Sequence, residues 1–405
     1  MKILVVSEKI PYPLTDGAAL CVYNIFKKLS EKHEIYLISF YEDIRDYDNL
    51  VHIKNIFKDI SLIKLDETTK SIFNSIKSLI LWNSGFLMKV QKPKLYKSFR
   101  HKMMEIVISK KIDLVNCVTP FMAEFVYDIT ACIKVLQLID SNTLALKRKQ
   151  SFQDTLKWHK KLHNLIWYYR FRNYEKRMIN SFDASITVGQ KDYEVLKTLS
   201  PHANVALIPN GVDTDFFYPL AKEYSDYQIL IFQGNMSFLP NIDAVIYFYN
   251  DIFPLVRSKI PNIRIYIVGS SPPEKIKRLS NDANVVVTGY VDDIRAYIAK
   301  ADIVICPMRM GGGIKNKILE AMSSERVVIS TSIGAEGIDA INRENILISN
   351  SPGDFVENII AILSNSELRN KITKNARKLI NENYTWDICS GRYEKLYADL
   401  LRTAQ

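Results

Sequence analysis

The chain has 405 residues, 47% hydrophobic and 24% charged, a globular composition too long for one core, so two domains are expected. Its five cysteines are scattered with no CxxC pair, which argues against a disulfide framework or a thiolate metal site and fits a reducing compartment. The net charge of +10 sits at the front: residues 1–200 carry 32 Lys and Arg against 21 Asp and Glu, residues 201–405 carry 22 against 23, which aims the first half at something anionic.

In chain order, KILVVS reads as a first strand, its apolar run too short for a signal peptide. A polar turn, EKIPYPLTDGAA, leads into a helical run, ALCVYNIFKKLSEKH, and a second strand, EIYLISF. That β-loop-α-β unit opens a parallel, doubly wound sheet. Further strands are expected at DISLIKL, IDLVNCV, IKVLQLI, ASITVG and VALIPN. The second half repeats the pattern with QILIFQG, IRIYIVG, NVVVTG, ADIVICP, RVVISTS and ENILIS, short β-branched runs mostly followed by helical stretches. The fold class is therefore α/β, two Rossmann-like domains in tandem. The expected boundaries are 1–207 for the first domain and 208–384 for the second, with 208–227 as the joining segment and 385–405 as a closing amphipathic helix.

That last helix has a buried stripe expected at Trp386, Ile388, Tyr393, Leu396, Tyr397 and Leu400. Two stretches, within 70–111 and 147–177, interleave Lys and Arg with Trp, Tyr, Phe and Leu. This is the composition of an interfacial helix on anionic lipid; the alternative is a surface helix whose aromatics face the core. No apolar run approaches the ~18–20 residues that span a bilayer. The reading is a cytoplasmic protein, peripheral on the inner face of the membrane, with no recognised nucleic-acid module and no nucleic acid as partner.

The stretch richest in chemistry is MRMGGGIKNKILEAM, 308–322. A strand ends at Pro307; Arg309, Gly311, Gly312 and Gly313 follow, and a helix begins. Glycines allow positive φ and close backbone approach, and a helix N-terminus offers unpaired N–H groups and partial positive charge. Lys315 and Lys317 add full charges. This suits a diphosphate at the carboxyl end of a parallel strand. Glu320 could accept two hydrogen bonds from ribose hydroxyls, so the pattern points to a nucleotide. The ordinary alternative is a glycine-rich turn with exposed lysines.

The block resembles the nucleotide-binding region of GT-B glycosyltransferases of retaining family 4: a strand ending in proline, a glycine-rich loop, a helix bearing EAM and a strand like VVIST. The resemblance is specific over 205–350, moderate over 1–40 and close to nil over 45–135. It implies the GT-B fold, two Rossmann-like domains facing each other across a cleft, with the C-terminal helix crossing back to the first. It implies a nucleotide-diphosphate sugar donor, of UDP or GDP type, and neither a cofactor nor a bound metal. Glu320 matches the second of the family's paired glutamates and implies a ribose contact. The first would fall at Gly312 and is missing. The family's Arg and Lys after the first strand of the second domain are also missing; FQGNMSFLPNIDAV offers Gly234 and Asn235 there. We read the positive charge as moved to the facing loop, with Lys315 meeting the diphosphate, assisted by Arg309. DGAAL resembles the family's N-terminal glycine loop, giving Gly17 a donor-phosphate role. VTGYVDDIRAYIAKADIVICP resembles the base-binding loop, with Tyr290 and Val291 near the nucleobase.

No histidine stands where many members carry one, after the fourth strand; Asn116 or Thr119 occupies that neighbourhood. Asp140, at the next strand end, is a candidate to orient an acceptor hydroxyl, or else caps a helix or pairs with a lysine. The DTD at 213–215 reads as a turn, and Asp292-Asp293 as first-turn acids of a helix. The implied activity is a retaining glycosyltransferase acting on a lipid-linked or oligosaccharide acceptor in surface polysaccharide assembly, such as capsule, exopolysaccharide or the O-antigen of lipopolysaccharide. A sugar-nucleotide epimerase of the same fold and a non-catalytic scaffold subunit are the alternatives.

Overall fold

The computed structural model describes residues 1–14, 16–43, 47–65, 84–151, 158–222 and 225–404. By internal contacts the chain divides into two units, Met1–Pro209 with Cys389–Gln405, and Asn210–Ile388.

The first unit is built on a seven-stranded sheet: β1 Lys2–Ser7, β2 Glu34–Tyr41, β3 Asp59–Lys64, β4 Leu114–Val118, β5 Ile133–Ile139, β6 Ala184–Thr187 and β7 Val205–Leu207. Their order is β3-β2-β1-β4-β5-β6-β7, and every pairing is parallel. Parallel sheets covered on both faces need continuous apolar strands, and β4 is buried at all five positions. Helix α1, Gly17–Leu29, starts at Asp16, whose carboxylate accepts the Ala19 N–H at 2.9 Å and pairs with Lys9. Three further helices matter for the site: α2 Thr119–Val126, α3 Asn142–Ser151 and α4 Trp158–Ser181.

The second unit carries β8 Gln228–Gln233, β9 Ile263–Val268, β10 Val285–Gly289, β11 Ile303–Cys306, β12 Val327–Ser330 and β13 Leu347–Ile348. The order is β10-β9-β8-β11-β12-β13, again parallel throughout. Helix α5, Leu239–Tyr247, follows β8, and α6, Asn316–Ser323, follows β11. All thirteen expected strands are present.

Helix α7, Trp386–Ala404, begins in the second unit, where any side chain at Gly211 would collide with Trp386. From Cys389 onward it belongs to the first. There Tyr397 donates to Asn116 Oδ1 at 2.8 Å, Asn116 Nδ2 donates to Gln137 Oε1 at 2.9 Å, and Gln137 Nε2 reaches Cys21 Sγ at 3.2 Å. This buried chain of polar groups locks α7 to β4, β5 and α1. Asn116 is thus spent inside the sheet, fully buried, and not at the strand end where the family resemblance set it. The expected stripe holds at Trp386, Tyr393, Tyr397 and Leu400; Ile388 and Leu396 are partly exposed, and Cys389 is buried instead.

Of the two basic-aromatic stretches, residues 70–83 and 152–157 lie outside the described residues. Within 93–111, Tyr96 and Phe99 face inward and join the core with Met103, so that part is an ordinary surface helix. Among the described residues no helix is long and apolar enough to cross a membrane.

Candidate active site

In an open parallel sheet, ligands bind where the strand order reverses, beyond the carboxyl ends. In the second unit that point lies between β8 and β11, which pair through Ile303 and Leu230. Two glycine loops leave it. After β8 comes Gly234, at φ 153°; after β11 come Gly311, at φ 114°, and Gly313, at φ 62°. The N-cap of α6 is Lys315, with extended backbone and no side-chain cap; the Ile318 N–H donates to the Lys315 carbonyl at 2.8 Å, and the Lys315 side chain caps none of the first-turn amides.

The two lysines of this loop do different things. Lys315 is buried, and its ammonium donates to the carbonyls of Gly312 at 2.6 Å and Gly313 at 2.9 Å, which curls the glycine loop around it. Lys317, one residue inside the helix, reaches across to the β8 side. Its ammonium donates to Asn241 Oδ1 at 2.8 Å and lies 4.1 Å from the centroid of the Phe232 ring. Asn241 in turn donates to the Asn235 carbonyl at 2.8 Å, so Lys317 ties the two loops together. A Cβ at Gly234 would stand 2.8 Å from Asn241 Nδ2 and 3.0 Å from Lys317 Nζ, which is why only glycine fits there. Burial lowers the Lys317 ammonium to about 8, because a low-dielectric surrounding disfavours the charged form.

One turn on, Glu320 shares the helix face of Lys317. Its Oε2 accepts from Gln233 Nε2 at 2.6 Å, and the other Gln233 amide atom, Oε1, is buried without a partner. Burial raises the Glu320 carboxyl to about 7, with Lys317 pulling the other way. Desolvation thus moves both groups toward neutral pH from opposite sides, because it disfavours the charged form of each. Arg309 forms a bidentate pair with Asp243 at 3.0 and 2.6 Å, stacked 4.5 Å over Tyr247. Gly234, Asn235, Gly312, Gly313, Lys315 and Glu320 therefore gather at one crevice. Tyr290 follows β10, mostly exposed, with Val291 half-buried beside it. The DTD is a turn, as expected, in which Asp213 accepts the N–H groups of Asp215 and Phe216. Asp293 pairs with Arg295, but the helix begins at Arg295 with Ile294 as its N-cap, so neither Asp292 nor Asp293 lies in its first turn.

The signal for Lys317 was in the sequence: Lys317 and Glu320 are three apart, hence on one helix face. Gln233, Asn241 and Asp243 carried none; they are single polar residues at a strand end and on a helix otherwise read as apolar.

In the first unit the strand order reverses between β1 and β4. A small cavity there is lined by Ser7, Glu8, Lys9, Ala18, Val118 and Thr119 among others. Gly17 opens α1 beside it, with nothing within reach of an added Cβ. Thr119 and Ile139 hold left-handed backbone, φ 68° and 66°, a conformation costly for β-branched residues. The Thr119 hydroxyl is buried without a hydrogen-bond partner. Asp140, next after Ile139, is half-buried. The loop after it is pinned: Ser141 N–H donates to Asp192 at 2.8 Å, and Glu175 of α4 accepts from Ser141 Oγ at 2.9 Å and Asn142 N–H at 3.0 Å. Burial holds the Glu175 carboxyl above its ordinary range.

Residues 15–216 match the family described as Glycosyltransferase Family 4, and residues 227–365 that described as Glycosyl transferases group 1. The chain is a family 4 glycosyltransferase. It is 25% identical over 394 residues to an uncharacterised 44.6 kDa protein in the cps region of Klebsiella pneumoniae, covering 95% of this chain and 96% of that one. It is 25% identical over 162 residues to the capsular polysaccharide biosynthesis glycosyltransferase CapM of Staphylococcus aureus, covering 38% and 42%. Among solved structures, a sucrose-phosphate synthase from Thermosynechococcus elongatus superposes with a TM-score of 0.74 at 15% identity, covering 99% of both chains. Anabaena HepE in complex with UDP and glucose gives 0.68 at 14% identity, covering 98% and 99%. These likenesses establish the GT-B fold, and the family makes the activity that of a transferase, in place of an epimerase or scaffold.

Proposed function

We propose that this glycosyltransferase moves a sugar from a nucleoside-diphosphate sugar, of UDP or GDP type, to a lipid-linked saccharide with retention of configuration, in assembly of a bacterial surface polysaccharide such as capsule. The observation that carries the donor class is the crevice between β8 and β11, where the Lys317 ammonium spans two glycine loops one helical turn from Glu320.

In this reading the diphosphate lies against the first turn of α6, and the glycine loops let the backbone approach it. Lys317 neutralises the charge that develops as the sugar leaves; Lys315 holds the loop in shape from within. Such pre-placed charge is commonly the largest catalytic term. Glu320 accepts from the ribose hydroxyls, displacing Gln233. Asp140 orients the acceptor hydroxyl, on a loop that Glu175 and Asp192 make rigid. The capsule assignment is supported by the cps-region and CapM relatives. HepE, crystallised with UDP and glucose, supports the donor class.

The test is a thermal-shift screen against UDP, GDP, ADP, CMP and TDP, with and without EDTA. A ligand that binds only the folded state raises the melting temperature. A selective rise with one diphosphate, unaffected by EDTA, is expected. No rise with any of them would remove the donor assignment.

A further inference from the structure

Helix α4 presents two opposite faces. Tyr174, Met178 and Ile179 are buried in the core, and Tyr174 donates to the Pro120 carbonyl at 2.8 Å. On the other side Trp158, Leu162, Leu165, Ile166 and Tyr169 are 76%, 49%, 43%, 44% and 54% exposed. At 3.6 residues per turn these five fall within an arc of about 100°. A continuous exposed apolar stripe on a surface helix marks an interaction face.

The charges around the stripe say what it meets. Lys161 and Arg172 flank one side, Arg170 the other, and Lys176 continues the line of the stripe. The one acid of the helix, Glu175, is fully buried. A second copy of this face would set cations against cations, an arrangement that costs binding energy. An anionic bilayer satisfies both features: apolar side chains enter the headgroup boundary and the basic rim meets lipid phosphates.

We infer that the Trp158–Tyr169 face of α4 docks on an anionic lipid surface. The buried face of the same helix fixes the loop beside Asp140 through Glu175, so docking would hold that loop next to the membrane. This purpose rests on the proposed lipid-linked acceptor; the docking itself does not.

Co-sedimentation with phosphatidylglycerol–phosphatidylcholine vesicles tests it. The wild-type chain is expected to pellet at low salt and be released at high salt, and to stay in solution with phosphatidylcholine alone. Leu165→Asp with Ile166→Asp, both surface changes, should weaken vesicle binding tenfold or more with unchanged melting temperature. Equal pelleting of this variant overturns the inference. So does loss of self-association in the variant with no vesicle binding by the wild type, which would make the face a protein interface. Vesicle binding is read without nucleotide, so its failure leaves the donor assignment standing, and a failed nucleotide screen leaves the docking face standing.

Discussion

The two units reverse their strand order at the same kind of point and equip it differently. At β8/β11 the crevice holds Lys315, Lys317 and Glu320, with Arg309 paired nearby. At β1/β4 it holds a small cavity and, at Thr119, an unpartnered hydroxyl on a strained backbone. The second unit's crevice is marked by charge drawn in between two loops, the first unit's by backbone strain, although Glu8 and Lys9 are in its lining. That division suits a reaction in which one partner brings a diphosphate and the other brings hydroxyls. Removing the features of each unit one at a time shows whether the contrast survives.

The largest effect is expected at Lys317. Lys317→Met keeps most of the aliphatic stem over Phe232 and removes the ammonium. Turnover should fall about 100- to 1000-fold, the range for loss of one pre-placed charge-stabilising donor. The melting temperature should hold or rise, because burial already disfavours that charge in the free protein. Steady-state kinetics beside a melting curve check both. Unchanged turnover would mean that the charge that matters lies elsewhere in the loop.

Glu320→Ala should weaken binding of the free nucleoside diphosphate by about 10- to 100-fold, equivalent to about 1–3 kcal/mol for hydrogen bonds to a charged group. Titration calorimetry reads it directly. The pH profile sharpens the point. Glu320 must be ionised to accept from ribose, so affinity should climb as pH rises through about 7. Lys317 must be protonated to meet the diphosphate, so affinity should drop as pH rises through about 8. A narrow bell results, whose two limbs belong to the pair jointly. Glu320→Gln should erase the acid limb and spare the alkaline one.

The sheets were legible in the sequence because buried parallel strands are unbroken apolar runs, and all thirteen were read. The crevice was legible through its glycines and Glu320. Which lysine faces which way was not. Residue type favours Asn316 as the helix cap, yet Lys315 holds that place, at φ −91° and ψ 97°. That non-helical turn sends its side chain back into the loop and leaves Lys317 to cross the crevice. Asn116 was misplaced for a related reason: in a strand buried on both faces, alternation does not tell an inward polar residue from one at the strand end.

A smaller effect is expected in the first unit at Glu175. Glu175→Ala leaves the Asn142 N–H and the Ser141 hydroxyl without their acceptor inside the protein. The cost should be about 1–3 kcal/mol, a fall of roughly 2–12 °C in a unit of this size. Nucleotide affinity in the second unit should not change. If it does, the features of the two units are not separable.

The smallest effect tests whether the strain at Thr119 serves function. Glycine adopts the left-handed region freely, so Thr119→Gly relieves roughly 1–3 kcal/mol of backbone strain. It gives back about 0.5–1 kcal/mol through the greater freedom of the unfolded chain. The net gain of about 0–2.5 kcal/mol corresponds to a rise in melting temperature of roughly 0–10 °C. Turnover should fall in the same variant, since the unpartnered hydroxyl at the cavity is lost along with the fixed backbone that aims it. Strain that raised stability on removal and cost no activity would be a packing accident, and the shape of the β1/β4 cavity would then have no part in the reaction. Strain whose relief stabilises the fold while slowing transfer would mean that Thr119, like Lys317 in the other unit, is held in an unfavourable state that the reaction uses.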